Sequence, residues 1–420
     1  MASLLIRNIR RLVGCEEHPR TEPLRGAALD QLPTLDEAFL LVEGERIADF
    51  GPMSACPDRA DRVLDASGRF LFPCWCDSHT HLVFAGSREQ EFVDRIRGLS
   101  YQEIARRGGG ILNSARRLRR CSEEELFEQA AQRLQEVVDM GTGLVEIKSG
   151  YGLDPDSELK MLRVVRRLKE SSPALVKATF LGAHAIPEEY RADPDAYVRV
   201  VVEQMLPRVA DEGLAEYVDV FCEKVAFSAA QTERILEAGV RRGLRPKIHT
   251  NQFTSMGGIQ VAVKFDALSV DHLEVMEEAE IECLARSNTI ACLLPSAPFF
   301  LNDPYPPARQ IIEAGIPVAL ASDYNPGSSP SGNMPFVLSL ACIKMRMTPA
   351  EAIQAATLNG AFAVEAADQT GSIARGKLAH FFLTRPLPSE DFLPYAFGSR
   401  LVEWVFLRGR PAGGISHPPL

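Results

Sequence analysis

The sequence predicts an α/β protein, a (β/α)8 barrel with a small β-sandwich built from both termini. Two observations predict it. From about Leu71 onward, short apolar runs alternate with long amphipathic stretches, as expected for a parallel sheet buried on both faces and wrapped in helices. Both ends of the chain carry strand-like runs broken by Gly, Pro and Asp, the pattern of a small all-β unit.

In chain order, residues 1–70 supply LLIRNIRRLVG, AFLLVEGERIADFG and RVLDASGRFLFP. Residues 71–374 supply the barrel. Its eight candidate strands are CWCDSHTHLVF, TGLVEIKS, ALVKATFLGAH, YVDVFCE, RPKIHTN, ALSVDHL, TIACLLPS and PVALASD. Between them, EEELFEQAAQRLQEVVDM, SELKMLRVVRRLKE and AAQTERILEAGVRRG repeat apolar residues every three or four positions, the helical period. Eight strands alternating with helices favour a closed barrel over an open sheet. Residues 375–420 return to β character with GSIARGKLAHFFLTRP and RLVEWVFLRGRPA, which pair with the N-terminal runs.

At 420 residues the chain has room for both units. Its net charge of −10 argues against nucleic acid or an anionic membrane as partner. A small anionic substrate would then need a local arginine. Nine cysteines, an odd number without framework spacing, and an opening MASLLIRNIRRLVG too short in apolar length for a signal or a span, point to reduced thiols and a cytoplasmic protein. Cys74 and Cys76 in PCWCD resemble a cysteine metal motif only superficially, since a single residue separates them.

Active sites of such barrels form at the C-terminal ends of the strands. The first strand ends in His79-Thr80-His81, and alternate strand residues share a face, so both imidazoles can meet one metal. The fifth strand ends in His249, the sixth in Asp271-His272 and the eighth in Ser322-Asp323. A lone strand-end histidine is usually packing, and a lone aspartate usually a cap or turn former. Five of the chain's 8 histidines (His79, His81, His184, His249 and His272) at strand ends of one face are harder to dismiss. His79, His81, His249 and Asp323 make a ligand set for one divalent metal, zinc or iron, with room for a water whose pKa the metal lowers. His272 is then free for proton transfer or for polarising a carbonyl, and Asp323 for taking the water's proton.

These residues resemble the amidohydrolase superfamily, and the strings HTHLVFAGSRE, YQEIARRGGGI, EIKSGYGL, FLGAHAIP, DVFCE, VDHLE and SDYNPGSSP resemble its imidazolonepropionase family across nearly the whole barrel. The resemblance implies hydrolytic ring opening of 4-imidazolone-5-propanoate to N-formimidoyl-L-glutamate. It implies that Arg88 holds the propionate, as an arginine can do bidentately. It also implies that Tyr101, Tyr151 and His184 line the substrate pocket, and that Asn325, Gly327 and Ser328 contact substrate or product. The fourth strand closes with Phe221-Cys222-Glu223, without the bridging lysine of binuclear members, although Lys224 is adjacent. Gln252 stands where ring deaminases of the superfamily place a proton-shuttling glutamate. Glutamine can only hydrogen-bond, so it serves as a substrate contact and the base is sought at Asp323 or His272. Barrels of this class often pair, so a homodimer is expected. Two rivals are a deaminase of another nitrogen heterocycle, which would release ammonia, and a non-catalytic scaffold, which would typically have lost metal ligands.

Overall fold

The computed structural model describes residues 2–99, 103 and 109–419. Eight parallel strands run in sequence order around one sheet: β6 (Trp75–Thr80), β7 (Thr142–Lys148), β8 (Leu175–Ala183), β9 (Tyr217–Cys222), β10 (Arg245–Thr250), β11 (Ser269–His272), β12 (Ile290–Leu293) and β13 (Val318–Leu320). Each corresponds to one of the eight apolar runs. The ring closes where Asp323 N–H donates to the His79 carbonyl (3.0 Å) and His81 N–H to the Tyr324 carbonyl (2.9 Å). Closure therefore seats the first and eighth strand ends, both carrying candidate ligands, side by side.

The helices begin where local chemistry says they should. Ser122 and Glu125 form a capping box at the start of the helix Glu123–Asp139. Asp154 caps the helix Pro155–Ser171, whose first residue is proline. Leu126, Ala130, Leu134, Val137 and Val138 of the first of these are buried at three- and four-residue spacing, so the apolar stripe faces the barrel.

The termini form a second, mixed sheet. Its strands are β1 (Ser3–Val13), β2 (Thr34–Glu43), β3 (Arg46–Pro52), β4 (Arg62–Asp65), β5 (Phe70–Pro73), β14 (Phe381–Thr384), β15 (Val402–Leu407) and β16 (Arg410–Gly413). The order is β16-β15-β14-β5-β1-β2-β3, with β4 also paired to β1. The two ends of the chain meet at β5 and β14, where Phe72 lies opposite Phe382 and their rings stack at 5.3 Å. Period-two alternation gives this sheet two apolar faces. Leu12, Leu71, Phe381 and Phe406 enter a core of its own, whereas Val13, Phe70, Phe72, Phe382, Val405 and Leu407 join the core shared with the barrel.

The barrel interior departs from its apolar-looking runs. Asp77, Glu146, Lys148, Thr179, Asp219, Lys247 and Asp271 are all fully buried, in a layer that many such barrels fill with branched aliphatics. Burial of so many charges requires partners: Glu146, Asp219 and Lys148 pair with one another, Lys247 donates to the Ser78 and Ala363 carbonyls, and Asp77 accepts from Ser322. Two of them, Asp219 and Asp271, contact His249 and His79.

Candidate active site

The metal-binding candidates converge. His79 and His81 leave β6 on the same face, and each Nε2 lies 3.5 Å from Asp323 Oδ1. The ring of His249, from β10, is 4.4 Å from that of His79 between centroids. Ligand atoms of His79, His81 and Asp323 fall within 4.8 Å of one another, as do those of His79, His249 and His272.

Two carboxylates hold these rings from below. His79 Nδ1 is 2.6 Å from Asp271 Oδ2, and His249 Nδ1 is 2.9 Å from Asp219 Oδ2. Asp219 also accepts the His249 backbone N–H at 3.1 Å. The His79 Nδ1 contact is a hydrogen bond, whereas His249 Nδ1 lies close to Asp219 without an aligned one; in both cases the carboxylate stands on the Nδ1 side, the arrangement that orients histidines on a metal. The Nε2 atoms of His79 and His249 are buried and accept no hydrogen bond among the described residues. Such orphaned nitrogens are costly unless a Lewis acid takes the lone pair. The donor set therefore fits a divalent metal.

The electrostatics agree. Burial, reinforced by Lys148 and the neighbouring rings, drives His79 well below the usual histidine range, and burial drives His81 down as well, so both are neutral and able to ligate. Burial also disfavours charge on His272, but Glu274, 3.4 Å from its Nδ1, and Asp323 outweigh it and raise its pKa. Burial raises Asp323, against the pull of His272 and His249. A carboxyl and an imidazole are thus both raised above their ordinary values in one site.

The substrate-facing candidates line the same cleft, a cavity of about 450 Å³ bordered by Arg88, Tyr151, His184, Gln252, Asn325, Gly327 and Ser328 together with His81, His249, His272 and Asp323. Tyr101 lies outside the described residues. Arg88 sits at the start of the helix Glu89–Ile96 and is not an isolated cation. Its Nε and Nη2 both donate to Glu91 Oε2, at 2.8 and 2.6 Å. A Cβ added at Gly327 would come within 2.3 Å of Nη1, so a larger residue there would displace the guanidinium from its present position.

His184 follows β8 directly. Its Nδ1 is 3.0 Å from the Gly150 carbonyl, and burial lowers its pKa to about 3. The ring is thus neutral, with Nδ1–H donating to Gly150 and Nε2 left as an acceptor. Gly150 has φ +111°, and a Cβ there would meet His184 Nδ1 at 2.9 Å, which explains the glycine of the KSGYGL segment. Glu158 pins that segment by accepting N–H groups from Gly150, Gly152 and Leu153 at 3.0, 2.7 and 2.8 Å, and so fixes the buried Tyr151.

After β13, Asn325 Oδ1 accepts the N–H groups of Gly327 and Ser328 (2.7 and 2.8 Å), and its Nδ2 donates to the Asp323 carbonyl at 2.7 Å. Asn325 thus braces the loop from within. Ser328 Oγ lies 3.3 Å from Asp323 Oδ2. Asn251 is turned away from substrate duty: at φ +57° it donates to Glu280 (2.9 Å) and to the Val275 carbonyl (2.8 Å). Gln252, next to it, faces the cleft.

Several functional-looking groups escaped the sequence reading. Arg95, Phe221 and Phe253 also border the cleft, and Glu91, Glu158, Asp219 and Glu274 brace its residues. Glu91 had a signal in its three-residue spacing from Arg88; the others are recognised only once strands and loops are brought together. Cys74 and Cys76 are buried in apolar clusters, in keeping with a packing role.

Comparison with known proteins places this geometry. The Amidohydrolase family model matches residues 70–410. Imidazolonepropionase of Christiangramia forsetii is 56% identical over 409 residues, covering 97% of this chain and 99% of that protein. Imidazolonepropionase of Flavobacterium johnsoniae is 54% identical, with 97% and 99% covered. The chain belongs to the amidohydrolase family. Among solved structures, an atrazine chlorohydrolase from Arthrobacter aurescens complexed with zinc superposes with a TM-score of 0.69 at 16% identity, covering 99% of this chain and 96% of that one. At that identity the likeness is one of fold.

The fourth barrel strand, β9, ends beside Glu223 and Lys224. Here Glu223 is committed to the loop after β10, accepting the N–H groups of Phe253 (2.9 Å) and Thr254 (3.2 Å), and Lys224 is exposed. No helix among the described residues is long and apolar enough to cross a membrane.

Proposed function

We propose that this amidohydrolase is an imidazolonepropionase, which opens the ring of 4-imidazolone-5-propanoate with water to give N-formimidoyl-L-glutamate. The observation that carries the reading is the shared cleft. The orphaned Nε2 of His249 and the Asp323 carboxylate border the same cavity as an oriented arginine, in a chain more than half identical to imidazolonepropionases.

His79, His81, His249 and Asp323 would hold one divalent metal, zinc or iron. When bound, that metal supplies an activated water and a Lewis acid. A single ion is favoured by the engagement of Glu223 and the exposure of Lys224. The chain's own residues do the rest. Arg88, steadied by Glu91, pairs with the substrate propionate and orients the ring. Tyr151 and the neutral Nε2 of His184 take the ring's edge, and Gln252 hydrogen-bonds without titrating. Asn325, Gly327 and Ser328 close the cleft against the opened product. The water's oxygen adds to the ring carbonyl carbon, and the bond from that carbon to the ring nitrogen breaks. Asp323 accepts a proton from the water and delivers it to the departing nitrogen. His272, held by Glu274, donates a hydrogen bond to the oxygen that gains charge.

The same reading carries a cytoplasmic location, in keeping with nine free cysteines, and a homodimer. Purified protein assayed for metal content and for formimidoylglutamate tests the reaction. Stoichiometric metal without consumption of imidazolonepropanoate would overturn the substrate, and ammonia release would point to a deaminase. Sedimentation at micromolar concentration tests the dimer.

A further inference from the structure

Beneath the histidines lies a buried set of charges that the hydrolysis itself does not use. Lys148, on β7, is fully buried, with Nζ 2.8 Å from Glu146 Oε1, 2.9 Å from Asp219 Oδ2 and 3.6 Å from Asp271 Oδ2. All three carboxylates are fully buried as well. Glu146 also accepts a hydrogen bond from Thr179 Oγ1. Asp219 and Asp271 are the two groups that face His249 Nδ1 and His79 Nδ1. One ammonium therefore stands directly behind both histidine supports.

A carboxylate can brace a ligating imidazole only if it is ionised and aimed, and two of them buried within reach of each other repel. A lysine fits this position better than an arginine would. Its donors radiate from one atom, so it hydrogen-bonds Glu146 and Asp219 while its charge stays 3.6 Å from Asp271, where a planar fork could not face all three. Asp219 accepts Lys148 and faces His249 through the same oxygen, Oδ2, while its Oδ1 takes the His249 backbone N–H. Asp271 Oδ2 lies between Lys148 and His79, and its Oδ1 accepts from Ser269 Oγ at 2.5 Å. Neither carboxylate has rotational freedom left once these contacts are made.

We infer that Lys148 is a positioning residue for the metal centre: its ammonium aligns Asp219 and Asp271 so that each fixes one histidine with Nε2 turned to the metal. The inference rests on the metal-dependent reading above. A lysine that merely filled and neutralised the barrel interior would contribute to stability and leave the ligands' own geometry unchanged.

The full-length protein loaded with zinc or cobalt(II) distinguishes the two. Wild type is compared with Lys148→Met by chelator competition for zinc and by the visible absorption bands of bound cobalt. Loss of a support behind ligating histidines is expected to weaken zinc binding by about 10- to 100-fold and to shift the cobalt bands. If Lys148→Met does not fold, the double variant Lys148→Met/Glu146→Gln, which strands one carboxylate fewer, carries the same expectation. Variants that melt earlier yet bind zinc as tightly as wild type, with an unchanged cobalt spectrum, overturn the inference while the metal-dependent reading stands. Wild-type protein that binds neither metal overturns both.

Discussion

His79, His249 and His272 stand on the barrel strands themselves, whereas Arg88, Tyr151, Gln252 and Ser328 stand on the segments that follow β6, β7, β10 and β13. The strand-borne groups take their positions from the register of the sheet and from buried carboxylates, so their geometry is a property of the barrel. The loop-borne groups are each held by a local brace: Glu91 for Arg88, Glu158 for the Tyr151 segment, Asn325 for the loop of Gly327 and Ser328. Such a division lets one barrel serve many substrates. Reaction chemistry is fixed where the backbone is least adaptable, and recognition is placed where a loop and one bracing residue can change together.

If that division holds, damage to the strand-end half should remove turnover, and damage to the loop half should chiefly shift binding. Asp323→Ala carries the largest expected effect. It removes a ligand candidate and the proposed proton carrier at once, and kcat should fall by roughly 10³-fold or more. Metal content measured on the same sample separates the two losses. An Asp323→Ala enzyme with near-wild-type turnover would show that the strand-end groups do not carry the chemistry.

Arg88→Ala comes next. A charge-assisted, two-point contact to a carboxylate is worth roughly 1.5–3 kcal/mol, or about 10- to 100-fold. The loss should appear mainly in KM, because the propionate is bound alike in ground and transition states. Glu91→Gln should shift KM in the same direction by less, since it loosens the guanidinium without removing it. A steady-state rate series on both variants decides this, and an effect confined to kcat would show that Arg88 acts in the chemical step.

The two halves differ in how far the amino-acid sequence alone reveals them. The strand-end groups were readable because the strand period and the C-terminal rule together predict where side chains converge. HTH, His249, His272 and Asp323 needed nothing more. The interior charges were not readable. Glu146 and Lys148 are embedded in one apolar run two residues apart, but Asp219 lies on β9, two strands away across β8, so only the closed barrel reveals that Lys148 serves both carboxylates. The loops were legible as resemblance but not as mechanics. Nothing in the string HTNQ shows that Asn251 adopts a left-handed conformation and turns to Glu280 while Gln252 faces the cleft. The small β unit was legible at both ends of the chain, yet its junction at Phe72 and Phe382 is a contact between residues more than three hundred positions apart.

Smaller effects test the braces. Gly150→Ala forces a side chain into φ +111° and against His184. Strain of this kind costs on the order of 1–3 kcal/mol, and the expected result is a lower thermal midpoint together with a raised KM. A variant with an unchanged melting curve would show that the KSGYGL turn yields more readily than its contacts imply.

The smallest expected effect is the absence of a titration. Burial holds the pKa of His184 down at about 3, below its ordinary value near 6.5, so the ring stays neutral as pH falls through the range where a free histidine would gain a proton. Nitrogen NMR of labelled protein should show one tautomer, Nδ1–H toward the Gly150 carbonyl, with shifts constant from about pH 8 down to about pH 5. Protonation can begin only as pH approaches the lowered value from above. A midpoint near 6 would mean that the cleft hydrates His184 far more than its packing against His81 and Tyr151 allows, and would move this histidine from a fixed acceptor to a titrating group on the loop half.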